Sequence, residues 1–376
     1  VFLFLSCFMF IIPVFVKAED VLLAPKAKSV LVMEPSTGSI IYERNSHEKL
    51  HPASMTKMMT MLLIIESVEK GIINLDDMVT VSSNASSMGG SQILLETGEK
   101  MSVNDLLKGI AVASGNDAAV AMAEKIGGTE EAFVAMMNER AKELGLNDTN
   151  FKNVHGLDDV NHYSSAYDMA MIAKELVKHP KILEFTSIYE DYLRKGTDRA
   201  FWLVNTNKLV RFYDGVDGLK TGYTSEAGHC LTATANIDGM RIIAVVMGEP
   251  DSNTRSSEVS SIFDYVYAQY ALDKVVTKDT DLGEYDVDKG KVNKIKVAPI
   301  EDVTILHKKA EKMDNVTYDI EVDKLIAPIN IGNLIGKLTL KQNGVVIKSV
   351  PLTVSENVSK ANIFEVFWKN LKDTLS

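Results

Sequence analysis

Hydrophobic and polar positions follow strand-like patterns near the start of the chain and a helical pattern after them. The segments Val30–Glu34 and Ser39–Arg44 flank a Pro-Ser-Thr-Gly turn at positions 35–38, which predicts a β-hairpin. From Ala53 to Lys70 the apolar residues are dense, and neither glycine nor proline interrupts them. This density predicts a buried helix.

Further helices are predicted in the middle of the chain and strands after them. Helical patterns lie near Asn104–Ile126, Glu130–Leu144, Ala166–His179 and Thr254–Ala271. Strand-like runs, joined by an Asp-Gly turn, lie at Cys230–Ile237 and Arg241–Met247. Strands at both ends with helices between them predict a mixed α/β domain whose terminal segments share one sheet.

A second region begins after a charged and polar stretch at residues 273–291. Val292–Val350 is rich in β-branched residues and contains turn residues at Pro328 and Gly332. The run LTLK before Asn343-Gly344 and the run VVIK after it predict a hairpin. We therefore predict an α/β domain over residues 25–272 and a small, sandwich-like all-β domain over residues 278–357.

The first residues are typical of an export signal. Residues 1–16 are almost wholly apolar, and Val16-Lys17-Ala18 resembles a cleavage site with small residues. A basic segment before the apolar run is missing, and the chain begins with Val1. We predict a signal peptide over residues 1–18 and a secreted protein; a buried N-terminal strand or an uncleaved anchor is the alternative.

The last residues form an amphipathic pattern. At about 100° per residue, one arc of about 140° collects most of the apolar side chains of the tail. These side chains are Ile363, Phe364, Phe367, Trp368, Leu371 and Leu375. The pattern predicts a helix over residues 361–376 that either docks on its own protein or lies in a membrane interface. Its terminal position and its aromatic residues favour peripheral membrane contact, although its polar face is not notably basic.

Composition excludes several classes of protein. The chain has 51 acidic against 40 basic residues and a formal net charge of −11, which disfavours a general nucleic-acid binder. Cys7 and Cys230 are too few for a disulfide scaffold or a four-cysteine zinc site, and the seven histidines form no HExxH motif. We expect neither a metal nor another cofactor. Cleavage after Ala18 leaves Cys230 alone, in a sequence that resembles a core strand.

Candidate chemistry begins with a serine and a lysine three residues apart. Ser54-Met-Thr-Lys57 opens the predicted helix at Ala53–Lys70, so the lysine amine can reach the serine hydroxyl on the same helix face. A lysine kept neutral can remove that proton. The same spacing occurs at Ser46–Lys49 and Ser67–Lys70, but neither of these precedes a long apolar helix.

Two further short motifs follow the first one in the chain, and the order of the three is informative. Ser114-Gly115-Asn116 lies between two helical patterns, and by itself it is typical of a helix cap. Lys220-Thr221-Gly222 follows about 100 residues later and by itself suits the end of a strand. The order S-x-x-K, S-x-N, K-T-G is that of penicillin-binding proteins and class A β-lactamases.

The chain resembles the low-molecular-mass penicillin-binding proteins that are serine-type D-alanyl-D-alanine carboxypeptidases. The blocks that carry the resemblance are HPASMTKMMT, ASGNDAAVAMAE, FKNVHGLDDVNHYSSAYDMA and VDGLKTGYTSEAGHCLTATA. It is strong over residues 28–271 and looser over the β domain and the tail. It implies a β-lactamase-like α/β domain followed by a β domain, with action on peptidoglycan stem peptides outside the cytoplasmic membrane and acylation by β-lactams.

The resemblance also implies roles for the catalytic residues. Ser54 would attack the carbonyl between the two terminal D-alanines, and Lys57 would act as its general base. Ser114 would relay the proton to the leaving amine. Asn116 would hold the substrate amide and orient Lys57.

Binding roles follow in the same way. Lys220 and Thr221 would bind the terminal carboxylate, and Gly222 would let the substrate backbone approach. The backbone N–H groups of Ser54 and Tyr223 would form an oxyanion hole. Arg255 resembles the arginine of the carboxylate subsite.

Rival functions stay open at this point. A serine β-lactamase would use a dedicated glutamate, and Glu143 lies only about 30 residues after Ser114 in a helical pattern. Endopeptidase action on cross-linked peptides would use the same site, and an inactive wall-binding module would not need Lys57. The chain departs from some relatives at Tyr223, where they carry histidine, and at Thr206, where they carry arginine.

Overall fold

The structure is a computed structural model that describes residues 21–362 and residue 365. The predicted signal peptide, and the predicted C-terminal helix beyond position 362 except for Glu365, lie outside the described residues. No helix in the described part of the chain has the length and apolar character needed to cross a membrane.

Strands and helices are mixed along residues 29–269. In chain order they are β1 (Ser29–Glu34), β2 (Ser39–Arg44), α1 (Lys57–Glu69), β3 (Met78–Thr80), α2 (Ser83–Ser86), β4 (Lys100–Ser102), α3 (Val103–Ala113), α4 (Asn116–Gly127), α5 (Glu130–Glu143), α6 (Ala166–Leu176), α7 (Pro180–Thr186), β5 (Glu190–Leu193), β6 (Phe201–Val204), α8 (Leu209–Phe212), β7 (Val216–Thr224), β8 (Gly228–Ile237), β9 (Met240–Glu249) and α9 (Ser252–Gln269).

A five-stranded antiparallel sheet lies at the centre of this region, in the order β2-β1-β9-β8-β7. The N-terminal hairpin therefore joins the late strands, and the prediction that early and late segments share one sheet is confirmed. β7 forms one edge of the sheet. Two further hairpins, β3–β4 and β5–β6, lie outside it.

Both faces of the sheet are covered by helices. Every residue of β1 is buried, and its side chains alternate between two cores. Leu31 and Met33 pack with the α1, α3, α4 and α6 helices on one face. Val30 and Val32 pack with α9, including Phe263, on the other face. A strand buried on both faces is apolar throughout, which explains the run VLVM.

The helical pattern near Asn104–Ile126 is two helices, α3 and α4, which flank the S-G-N motif as the helical patterns on either side of that motif predicted. α3 ends at Ala113, and Ser114 adopts a left-handed backbone with φ +62°. Asn116 then begins α4, and its backbone N–H donates to Ser91 O at 2.7 Å rather than to the preceding helix. Ser114 and Gly115 therefore lie outside both helices, in the turn between them.

Residues 270–354 form the predicted all-β domain. Its strands are β10 (Tyr270–Val276), β11 (Glu284–Asp288), β12 (Lys294–Pro299), β13 (Val303–Lys308), β14 (Val316–Val322), β15 (Leu325–Ile326), β16 (Gly336–Gln342) and β17 (Val345–Val354). Six of them form a sheet in the order β14-β16-β17-β12-β11-β15, and β10 pairs with β13. The hairpin predicted at Asn343-Gly344 joins β16 to β17. Both turn residues have positive φ, as an Asn-Gly hairpin requires.

The start of α1 is held against a loop that carries Gly156. Residues 53–56 form one turn of 3-10 helix, and Ala53 has a φ of +46°. A Cβ built on Gly156 would lie 1.8 Å from the Ala53 carbonyl oxygen, and Gly156 itself has a φ of +88°. Thr60 Oγ1 adds a hydrogen bond to Val154 O at 2.7 Å. The loop and the 3-10 turn therefore fix each other's position through their backbones.

We expect Gly156→Ala to destabilise the fold more than a glycine replacement that introduces backbone strain alone. Gly71 is the matched control, because its φ is +69° and a Cβ there meets nothing within 4 Å. Gly71→Ala should lower the free energy of unfolding by about 1–2 kcal/mol. Gly156→Ala should lower it by roughly a further 1–3 kcal/mol, because the backbone must move apart. Denaturant unfolding measures both, and equal losses would contradict the contact.

Candidate active site

Ser54 and Lys57 meet at the junction of the 3-10 turn and α1. The amine of Lys57 lies 3.1 Å from Ser54 Oγ, 2.6 Å from Asn116 Oδ1 and 2.8 Å from the carbonyl oxygen of His155. Its side chain is fully buried. The amine is therefore held by three oxygens from three separate segments of the chain.

The surroundings of Lys57 favour its neutral form. Burial lowers the pKa of this amine well below its usual value, and the positive charge of Lys220 lowers it further, while Asp117 opposes the shift. A neutral amine has two N–H donors and one lone pair. The two carbonyl oxygens take the donors, which leaves the lone pair for the Ser54 hydroxyl proton.

The S-G-N motif supplies two side chains on the opposite side of Ser54. Ser114 is 3% exposed, and its hydroxyl has no hydrogen-bond partner among the described residues. Asn116 accepts from Lys57 and donates through Nδ2 to Gly89 O at 2.7 Å. An unpartnered buried hydroxyl beside a cleft is free to bond a ligand.

Asp117 secures this side of the site. Its buried carboxylate accepts backbone N–H groups of Ile93 and Leu95 at 3.0–3.1 Å. It thereby holds the loop that contacts Asn116 through Gly89 and Ser91. The sequence analysis did not select Asp117, although it directly follows the motif.

The edge strand β7 forms the facing wall of the site. Lys220 is 1% exposed, and its amine donates to Thr221 O at 3.1 Å. Burial, helped by the positive charge of Arg255, lowers the pKa of Lys220 to about 7. Thr221 Oγ1 donates to Thr206 Oγ1 at 2.7 Å, so the threonine at that variable position orients the K-T-G hydroxyl.

Gly222 lets this strand pass close to the serine. A Cβ at Gly222 would lie 2.7 Å from Pro52 O and 3.3 Å from the Ser54 backbone nitrogen. Any larger residue would therefore push β7 away from Ser54. The third position of K-T-G is thus a steric requirement of the site.

Arg255 and Tyr223 complete the cleft. Arg255, on α9, is 6% exposed, and its Nε has no partner among the described residues. Tyr223 is 58% exposed and stacks on His229, with ring centroids 4.3 Å apart. The cleft encloses about 590 Å³.

All nine residues singled out from the sequence lie in or directly behind this cleft. Its lining is polar and hydroxyl-rich, with a few apolar side chains. The lining residues are Ser54, Ser91, Ser114, Thr206, Lys208, Leu209, Phe212, Thr221, Gly222, Tyr223, His229, Ser252, Asn253, Arg255 and Ser256. None of these described lining residues carries a carboxylate. Lys57, Asn116 and Lys220 lie behind the wall and are buried.

One cluster with metal-ligand chemistry lies elsewhere. Glu66, Glu175 and His179 bring ligand atoms within 4.8 Å of one another. Arg140 lies among them, 2.8 Å from a Glu66 oxygen and 3.1 Å from a Glu175 oxygen. The guanidinium supplies the positive charge there, so we assign the cluster to an ion-pair network between helices.

Comparison with known proteins matches both parts of the chain. Residues 16–251 match the D-alanyl-D-alanine carboxypeptidase family, and residues 270–360 match the C-terminal domain of penicillin-binding protein 5. The chain is 50% identical over 352 residues to D-alanyl-D-alanine carboxypeptidase DacF of Bacillus subtilis, covering 93% of this chain and 90% of the relative.

Solved structures agree with the sequence relatives. Penicillin-binding protein 5 of Haemophilus influenzae superposes with a TM-score of 0.74 at 33% identity, covering 92% of this chain and all of the other. A penicillin-binding protein of Listeria monocytogenes in its ampicillin-bound form superposes with a TM-score of 0.58 at 29% identity, covering 65% of this chain and 98% of the other. By family match, sequence identity and fold, the chain belongs to the D-alanyl-D-alanine carboxypeptidase family.

Proposed function

We propose that the chain removes the terminal D-alanine from peptidoglycan stem pentapeptides through an acyl-enzyme on Ser54. The observation that carries the proposal is the contact of the buried Lys57 amine, whose pKa is lowered, with Ser54 in a site that also holds two buried basic side chains, Lys220 and Arg255. A substrate that ends in a carboxylate needs such a cationic subsite inside a chain whose net charge is −11. The matched family and the Bacillus subtilis relative are named for D-alanyl-D-alanine carboxypeptidase activity.

The proposed acylation step uses Ser54 as the nucleophile, Lys57 as the base and Ser114 as the proton relay. Ser54 Oγ attacks the carbonyl carbon between the two D-alanines while its proton passes to Lys57 Nζ. The carbonyl oxygen becomes an anion facing the backbone N–H groups of Ser54 and Tyr223. When the C–N bond breaks, Lys57 returns this proton through Ser114: the Ser114 hydroxyl donates its own proton to the leaving amine and takes the one from Lys57, so the lysine is neutral again before hydrolysis.

Hydrolysis then returns the enzyme to its starting state. Water attacks the ester carbonyl, and its proton passes to the amine of Lys57. The ester C–O bond breaks, Ser54 regains its proton, and the shortened peptide leaves. Asn116 and the His155 carbonyl keep the lysine amine in place through both steps.

The cleft favours a carboxypeptidase over a β-lactamase. A β-lactamase that turns over rapidly needs a carboxylate base near the ester, and none of the described lining residues supplies one. Glu143, the glutamate considered from the sequence, pairs with Arg140 on α5 and is mostly exposed. We therefore propose that β-lactams acylate Ser54 and leave slowly.

We expect Ser54→Ala to abolish both reactions without changing stability. D-Alanine release from a pentapeptide should fall by at least about 10³-fold, because no nucleophile remains. Intact mass after incubation with benzylpenicillin should show one adduct on the natural chain and none on the variant. Ser46→Ala, in the second S-x-x-K sequence, is the matched control and should keep both. An adduct that persists on Ser54→Ala would refute the assignment, and rapid hydrolysis of the antibiotic would indicate a β-lactamase.

Lys220→Ala should impair binding of the substrate carboxylate. The KM for a peptide ending in D-Ala-D-Ala should rise by roughly tenfold or more, since a buried charged partner is lost. The same peptide with a C-terminal amide should be affected little. Lys208→Ala removes an exposed lysine from the rim of the same cleft and serves as control. Equal losses on both peptides would place Lys220 elsewhere in the reaction.

Lys220 also predicts a pH dependence for the natural chain. Its protonated form binds a carboxylate, and its pKa lies at about 7. Affinity for the carboxylate-ended peptide should therefore be highest below pH 7 and decline as pH rises through that value. The amide-ended peptide should lack this decline.

We also propose where the chain acts and how its parts divide the work. The family's cell-wall substrate and the apolar leader at residues 1–18 support export, with the α/β domain over residues 25–272 carrying the reaction. The β domain over residues 278–357 would separate that domain from the tail. The tail over residues 361–376 would lie in the membrane interface, a proposal supported by its amphipathic sequence.

Membrane contact is testable with two charge-matched variants of the chain from Glu19 onward. Phe367→Glu adds a negative charge to the apolar arc, and Asn370→Glu adds the same charge to the polar side. We expect the natural chain and Asn370→Glu to sediment with phosphatidylglycerol-containing vesicles, and Phe367→Glu to remain largely in the supernatant. Equal sedimentation of the two variants would exclude contact through the apolar arc.

A further inference from the structure

Behind the carboxylate-binding side of the cleft lies a buried acid that the proposed reaction does not use. Glu249 ends β9 and is 1% exposed. Neither of its carboxylate oxygens accepts a hydrogen bond from a donor among the described residues. Its cross-strand neighbour is His229, which lines the cleft.

The neighbour of Glu249 is a second acid. Glu258 on α9 lies within hydrogen-bonding reach of the Glu249 carboxyl, and its own oxygens lie 3.4 Å from the backbone nitrogen of Lys26. Two ionised carboxylates can only accept, so the pair can bond only when a proton lies between them. Glu249 is the more buried of the two and keeps that proton more easily. Burial and Glu258 together raise the pKa of Glu249 to about 8.

The acid pair is coupled to Arg255. Arg255 precedes Glu258 by one helical turn on α9, and its side chain reaches the cleft. Burial lowers the pKa of the guanidinium, whereas Cys230 and, after it, the negative charge of Glu249 act in the opposite direction. An ionised Glu249 therefore attracts the guanidinium.

We propose that Glu249 and Glu258 share a proton and that this proton makes Glu249 a positioning residue for Arg255. With the proton in place, Arg255 directs its charge to the substrate carboxylate. When the proton leaves, Glu249 becomes a second anion that competes with the substrate for Arg255. The inference rests on the proposed function, because it takes Arg255 as part of the carboxylate subsite.

Other charged and titratable groups surround Glu249 and Glu258, but none of those described donates a hydrogen bond to the Glu249 carboxylate in place of the shared proton. They are Lys26 and Lys28 before β1, Arg44 on β2, His229 and Cys230 on β8, and Asp251 at the start of α9. Arg44 donates to the carbonyl oxygens of Ala24 and Ala27. Burial raises the pKa of the Cys230 thiol to about 11 and lowers that of His229, so both stay neutral near pH 8.

Glu249→Gln tests the proposal, because glutamine mimics the protonated acid at every pH. KM for the carboxylate-ended peptide is measured from pH 6.5 to 9.5 on both chains and expressed as the ratio of natural chain to variant. The Lys220 titration is present in both chains and cancels in this ratio. We expect a ratio near 1 at pH 6.5 that rises to about fivefold at pH 9.5. With the amide-ended peptide it should stay near 1.

Two further variants sharpen the result. Glu226→Gln removes an exposed glutamate from the β7–β8 turn and should leave the ratio near 1 at every pH. Glu258→Gln removes the second anion that opposes ionisation of Glu249, so KM should begin to rise at a lower pH. A flat ratio for Glu249→Gln, or an equal effect of Glu226→Gln, would overturn the proposal.

Thermal unfolding separates this proposal from the proposed function. The pKa of Glu249 is higher in the folded than in the unfolded chain, so its favourable contribution is complete below about pH 4.5 and is lost as pH rises through about 8. As pH rises from about 4.5 to above 8, the melting temperature of Glu249→Gln should therefore increase relative to that of the natural chain. If the melting temperature rises in this way but the KM ratio stays flat, the acid pair affects only stability, and the positioning role is overturned. Absence of D-alanine release from the natural chain would instead refute the function.

Discussion

The burial of a lysine amine at Lys57 is the constraint on which the rest of the site depends. A charged amine costs several kcal/mol to remove from water, so a buried lysine tends to give up its proton. Three oxygens from separate segments receive this amine, from Ser54, Asn116 and His155. The 3-10 turn at residues 53–56, the break between α3 and α4, and the loop at Gly156 each bring one of these oxygens into place.

A second buried lysine influences the charge of the first. Lys220 lies on β7, and its charge disfavours a charge on Lys57, while Arg255 disfavours a charge on Lys220. The three basic groups thus differ in their readiness to be neutral. Lys57 is suited to take a proton, and Arg255 stays cationic and is suited to attract a carboxylate.

Much of this site could be predicted from the sequence because its side chains lie in short motifs with a fixed order. Ser54 and Lys57 sit one helical turn apart. The glycine of K-T-G, Gly222, occupies a position where a larger side chain would not fit. The β-hairpin at Asn343-Gly344 and the shared sheet were likewise readable from local patterns. The interruption between α3 and α4 was also readable, because a serine and an asparagine around a glycine are typical of a helix cap, but the left-handed backbone of Ser114 was not.

Other parts depend on contacts that no local pattern encodes. The third oxygen on Lys57 is the backbone carbonyl of His155, and any residue type could supply a carbonyl. Asp117 acts on a loop more than 20 residues earlier in the chain. Glu249 is an acid at the end of a mostly apolar strand, and its neighbour Glu258 comes from the next helix. Such groups become visible only when the fold shows what each of them contacts.

The absence of a carboxylate among the described lining residues gives Lys57 two tasks that pull in different directions. In the proposed mechanism the amine accepts the Ser54 proton during acylation and a water proton during hydrolysis, while its burial, and after it the charge of Lys220, lowers its pKa. With a peptide substrate, the leaving D-alanine departs and opens space for water beside the ester. A β-lactam keeps its leaving amine tethered by the opened ring, so water must approach a filled cleft with the same weak base. In the proposed mechanism, one weak base thus serves the turnover of a peptide, and the tethered leaving group explains why a β-lactam would leave slowly.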